Sequence, residues 1–134
     1  MRLQEKKNIL DFVANFSEVA KKEHWISHYD TDTDSISVRT PRLSYDSEKR
    51  YLNDEFAFYL NKENKVEGIF IEYFMNNFIS HHADIKELKK EIEKEIKAKG
   101  GDESAVVQLE SKETKKMIPE LESALIDSLL PASS

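Results

Sequence analysis

Cysteine is absent from this chain of 134 residues, and glycine and proline occur three times each. The missing thiols exclude disulfides, thiolate catalysis and cysteine-ligated zinc. The three glycines, Gly68, Gly100 and Gly101, form neither a phosphate-cradling P-loop nor a GxSxG nucleophile elbow. Gly68 reads as an interruption within a strand, and Gly100-Gly101 reads as a helix stop. No stretch approaches the roughly 20 apolar residues needed to span a bilayer. The opening MRLQEKKNILDFVANF is too charged for a secretory h-region. These features predict a soluble, cytoplasmic protein. There is also no excess of basic charge. Lys and Arg total 20 against 26 Asp and Glu, for a net charge of -6. The excess acid is even: residues 1–80 and 81–134 each carry net -3. The chain therefore has neither a basic arm nor an acidic tail, which argues against direct nucleic-acid binding.

What is present is charge and aromatic residues. Charged residues make up 34% of the chain, and seven Phe, five Tyr and one Trp supply material for a core. Residues 3–22 have helical spacing, with Leu10, Val13, Phe16 and Ala20 on a stripe that Ile9, Phe12 and Val19 widen. The period then becomes two. His24 to Tyr29 and Ser35 to Arg39 alternate around a polar turn, Asp30 to Asp34, and predict a hairpin. A polar loop follows to Asp54, with a short strand around Leu43 to Tyr45. Glu55 to Leu60, a turn over 61–65, and Val66 to Phe74 predict the second hairpin.

Helical spacing returns from Met75 to Lys99, where Phe78, His82, Ile85, Leu88, Ile92 and Ile96 fall three or four apart. Between Glu87 and Lys97 the sequence is almost wholly Glu, Lys, Ile and Leu. The apolar seam is one residue per turn, as in a coiled coil or a partner-facing helix. Residues 103–130 are helical by composition and divided at Pro119, where a new helix is expected to start.

The fold expected from this pattern is α+β. A small four-stranded antiparallel sheet of two hairpins is covered by the N-terminal helix, with a C-terminal helical extension. Residues 1–80 form the core domain and residues 81–134 the extension.

Candidate chemistry is sparse. Asp30-x-Asp32-x-Asp34 has the spacing of the first three ligands of a calcium loop. Ser35 and Pro41 stand where that loop needs its glycine and its bidentate glutamate, so a hairpin turn is favoured. His24, His28, His81 and His82 have no zinc-ligand spacing. Arg39, Arg42, Lys49, Arg50 and Tyr51 are the best local cluster for a nucleic-acid surface, offset by Asp46, Glu48 and Asp54.

Residues 25–74 resemble a family of small prokaryotic proteins catalogued as a domain of unknown function. The residues that carry the likeness are Tyr29-Asp30, Asp34, Ile36 and Val38, then Phe56, Phe58 and Leu60, then Val66, Gly68, Ile69 and Ile71. Phe70 stands where that family usually has an acid, and the middle segment is longer than usual. The family has no assigned activity or cofactor. Some of its members look like the small partner of toxin–antitoxin pairs, so the resemblance implies interaction rather than catalysis.

The expected function is a noncatalytic protein-interaction module, antitoxin-like or a complex-assembly subunit. It has no cofactor and no metal site, and its partner is another protein or a second copy. The partner-binding residues expected are Ile85, Leu88, Ile92 and Ile96. The alternative is a small metal-dependent hydrolase or nuclease using clustered His and Asp/Glu.

Overall fold

The computed structural model describes residues 3–81, 86–98 and 106–129. Two helices, α1 (Leu3–Ala14) and α2 (Phe16–Lys22), precede β1 (Ile26–Asp30), β2 (Ser35–Arg39), β3 (Glu48–Tyr51), β4 (Phe56–Leu60) and β5 (Val66–Ile71). A π-helical turn, Phe74–Phe78, and a 3-10 turn, Ile79–His81, follow. Then come α3 (Lys86–Ala98), β6 (Val106–Gln108) and α4 (Ser111–Leu129). The class is α+β with an antiparallel sheet and helices at both ends.

The sheet has six strands rather than the four expected, in the order β3-β4-β5-β2-β1-β6. Both predicted hairpins form, β1 with β2 and β4 with β5. The two additions are the edges. β3 lies at Glu48–Tyr51, not at Leu43 to Tyr45, and all four of its residues are exposed. It has no buried face to leave an alternating signature, so its pairing with β4 alone makes it a strand. β6 interrupts the helix expected over residues 103–130 and pairs with the outer side of β1. Residues from both sides of the boundary expected after residue 80 share one core. Val107, Leu109, Met117, Leu121 and Leu125 lie in the same cluster as Ile9, Phe16, Ile36, Phe58 and Ile69.

Three local expectations are also corrected. The first helix breaks at Asn15. The Asn15 N–H turns back to the Phe12 carbonyl at 2.8 Å, and its side-chain Nδ2 donates to the Asp11 carbonyl at 3.0 Å. An asparagine that satisfies the local backbone in this way competes with helix continuation. The strand expected from His24 begins at Ile26, because His24 is left-handed with φ 54°. Pro119 lies inside α4 rather than at its start. It is exposed, while Met117, Ile118 and Leu121 on either side are buried and pin the helix across the missing N–H.

The helices cover one face of the sheet. Phe12 of α1 packs edge-on to Phe58 at 6.4 Å and stacks on Trp25 at 5.4 Å. Thr114 of α4 shares a buried hydrogen bond with Ser27 at 2.6 Å. Phe78 meets Phe56 edge-on at 5.6 Å. The face so covered carries Ser27, Tyr29, Ile36, Val38, Phe56, Phe58, Ile69 and Ile71, all buried. No helix among the described residues is long and apolar enough to cross a membrane.

Candidate interaction surface

Strand register fixes what lies on the opposite face, because side chains alternate along every strand. One row runs Lys49, Tyr59, Gly68, Arg39, Ile26 through successive pairings. The next row, two residues along, runs Tyr51, Ala57, Phe70, Ser37, His28, Gln108. A third holds Ser35, Asp30 and Val106. Glu72 and Glu55 fall beside that third row, joined by the Glu72 N–H to the Glu55 carbonyl at 3.2 Å. Cations thus stand at one margin, acids at the other, and aromatic and small residues between them.

The side chains of this face are partly ordered by one another. The Lys49 ammonium lies 3.6 Å from the centre of the Phe70 ring, a cation–π contact that crosses fully buried Ala57. The Tyr51 hydroxyl donates to Glu72 at 2.7 Å, and that bond leads the causes that push its pKa up to about 12. Burial raises the Tyr59 hydroxyl above its ordinary value, with Arg39 opposing. Burial, then Arg39, lowers the His28 imidazole, and a hydrogen bond with Gln108 acts the other way. His28 Nδ1 is buried with no hydrogen-bond partner. Gly68 is required beneath Arg39: a Cβ there would lie 2.5 Å from Arg39 Cβ. The result is an aromatic surface of exposed Tyr51 and half-buried Tyr59 and Phe70, flanked by two cations and floored by small residues.

Of the seam expected to bind a partner, two residues can be placed. Ile92 is 1% exposed and belongs to the chain's own core, and Ile96 packs partly buried against that core. The Ile85 residue and the Leu88 side chain lie outside the described residues. α3 is held to α4 by Lys116 to Glu91 at 2.8 Å and by the Glu110 N–H to the Glu95 carboxylate at 3.1 Å. Glu91 also faces Glu113. The Lys116 bond comes first among the causes that lower Glu91, and the Glu91 bond first among those that raise Glu113.

The histidines behind the alternative reading are apart where they can be placed. His24 is exposed at the α2–β1 turn, and His28 is on the open face. His82 and the His81 side chain lie outside the described residues. Among the described residues no group of three His, Asp or Glu is arranged to hold a metal ion. The cluster of Arg39, Arg42, Lys49, Arg50 and Tyr51 is divided between the two faces of the sheet and the loop before β3. Lys49 and Tyr51 join Arg39 on the open face, whereas Arg50 alternates to the other side and pairs with Glu48 at 2.9 Å. Arg50 also approaches Glu5 at 3.9 Å in a polar cleft of about 250 Å³ that Asp46, Asn61 and Lys62 help to line.

The residues that carry the family resemblance have structural roles. The Tyr29 hydroxyl donates to Asp34 Oδ1 at 2.6 Å. Asp34 in turn accepts from the Met75 N–H at 2.9 Å and the Asn76 N–H at 3.0 Å, capping the helical turn after β5. Asp30 accepts from the Asp32 N–H at 2.9 Å, the turn expected of that run. Glu67, at the bulge of β5, binds the Ser44 N–H at 3.0 Å and the Ser44 hydroxyl at 2.6 Å, and so ties down the loop before β3. Burial opposes its ionisation. The Ser44 hydroxyl and N–H bonds lead the causes that outweigh it and hold Glu67 below the ordinary carboxylate value. Comparison with family models, curated proteins and solved structures finds no match to this chain.

Sequence reasoning missed the open face because a face exists only once strand order and register are known. Its signal was nevertheless present. Tyr59 and Phe70 are large aromatics at the positions of their strands that alternate away from the core, where a solvated sheet would carry polar residues.

Proposed function

We propose that this chain is a noncatalytic protein-interaction module, of the antitoxin-like or complex-assembly kind, working in the cytoplasm. The observation that supports the reading is the sheet face opposite the helices. A one-layer antiparallel sheet with one face in water normally alternates apolar-in and polar-out. Here the outward positions include Ile26, Tyr51, Tyr59 and Phe70, with Arg39 and Lys49 among them. Aromatic residues and Arg surrounded by polar groups are the composition of protein-binding surfaces. The surface used is this face rather than the α3 seam, since Ile92 is already committed to the core.

Site-specific photocrosslinking tests this reading. A photoreactive residue at position 70 is expected to give a discrete crosslinked protein product in the native host. One at position 112, an exposed position of α4, is expected to give none. Absence of any product at position 70 would sink the reading.

A further inference from the structure

The charge layout of the open face says what covers it. A two-fold axis in the plane of contact, running across the strands along the Tyr51–Gln108 row, lays the first row of one copy over the third row of the other. Isologous contacts of this kind require a surface complementary to itself. Arg39 then lies over Ser35 of the second copy. Ser35 has Asp30 on one side by pairing and Glu72 on the other, one residue beyond the Ile36–Ile71 pair. Lys49 lies toward Glu55 by the same symmetry. The central row, with Phe70 and Ser37, meets its own copy.

We propose that the partner seated on the open sheet face is a second copy of this chain, docked face to face about that axis, with Arg39 and Lys49 of each copy against Asp30, Glu55 and Glu72 of the other. The inference rests on the interaction-module reading and specifies its partner. Six strands about 4.8 Å apart and three rows give a contact roughly 25 Å by 15 Å before side-chain relief. That is about 375 Å² a side, below the standard class of stable interfaces, so only weak self-association is expected.

Charge exchange provides the test. Sedimentation equilibrium of the full chain is expected to show a monomer–dimer equilibrium. Arg39→Glu sets acid against acid, and Glu72→Arg sets cation against cation. Each variant alone is expected to weaken dimerisation at least tenfold. An equimolar mixture is expected to restore it, because the new acid at position 39 of one copy then meets the new cation at position 72 of the other. Circular dichroism of both variants checks that they remain folded.

The chain has no cysteine, so a second measurement has no background. Ser37→Cys, on the central row, is expected to crosslink to a dimer with a short bis-maleimide, while Lys112→Cys on α4 is not. A wild-type chain that stays monomeric at several hundred micromolar, or a dimer that crosslinks through position 112 instead of 37, overturns the proposal. If the chain is monomeric but position 70 captures a different protein, self-docking fails and the interaction reading survives. If neither occurs, both fail.

Discussion

The Tyr29 hydroxyl donates to Asp34 Oδ1 at 2.6 Å across the turn that joins the first two strands. Asp34 is 9% exposed and left-handed, with φ 51°. Its carboxylate takes two backbone N–H groups from residues 75 and 76, and its carbonyl takes the Phe74 N–H at 2.7 Å. One side chain therefore fixes both the β1–β2 hairpin and the start of the helical turn after β5. Asp34→Ala is expected to cost about 3 kcal/mol, because it strands three donors and puts alanine at positive φ. Tyr29→Phe removes one donor only and should cost about 1 kcal/mol. Urea denaturation of the two variants measures both. Equal losses would show that Asp34 is not the hub.

Gly68 occupies the crossing of β2 and β5 on the open face. A methyl group there meets Arg39 Cβ at 2.5 Å and the Val38 carbonyl at 3.0 Å, both too close to the backbone to swing aside. Gly68→Ala is expected to destabilise the chain by about 1–3 kcal/mol, as overpacking does in a well-packed interior. Hydrogen exchange should show the loss concentrated at the β2–β5 pairing. Unchanged stability would mean the strands can part without cost.

How much of this was legible in the sequence follows from which residues carry a face. β1, β2, β4 and β5 each bury one side, so their alternation was readable. β3 is wholly exposed, and β6 is three residues inside a Glu/Lys-rich stretch, so neither had a period to read. Asp34 was visible as a turn residue, and no local spacing could join it to Met75, 41 residues away. The narrow Ile seam does form a helix, α3. Its burial at Ile92 depends on α4 and β6 returning to the sheet, which no periodicity records.

His28 links the open face to pH. Burial first, and the Arg39 charge second, lower its pKa from the ordinary 6.5. A depressed folded value means that the folded state resists protonation. The contribution to stability is complete above 6.5 and is lost as pH falls through the lower folded value. The unfolding midpoint in urea should therefore drop as pH falls below 6.5. His28→Gln should remove that part of the slope while leaving acid unfolding at lower pH in place. An identical slope in the variant would assign the dependence to other groups.

Pro119 is exposed within α4 and removes the N–H that would bond the Lys115 carbonyl. An alanine there restores that bond and has high helix propensity, against a loss of about 1 kcal/mol of unfolded-chain restriction. Pro119→Ala is expected to stabilise the chain by about 1–2 kcal/mol, read as a higher midpoint in thermal unfolding. Destabilisation would indicate that a bend at residue 119 is needed to seat Leu121 and Leu125 on the core.

Ile92 decides between two uses of the α3 seam. A partner-binding isoleucine would be exposed in the isolated chain, and its truncation would leave monomer stability nearly unchanged. Ile92 is instead 1% exposed within the chain's own cluster. Ile92→Ala should therefore cost about 2–4 kcal/mol through lost burial and a residual cavity. Because the contact is internal, the loss should be the same at protein concentrations tenfold apart, whereas stability supplied by a partner copy depends on concentration. A near-neutral substitution would return the seam to the role of a docking surface.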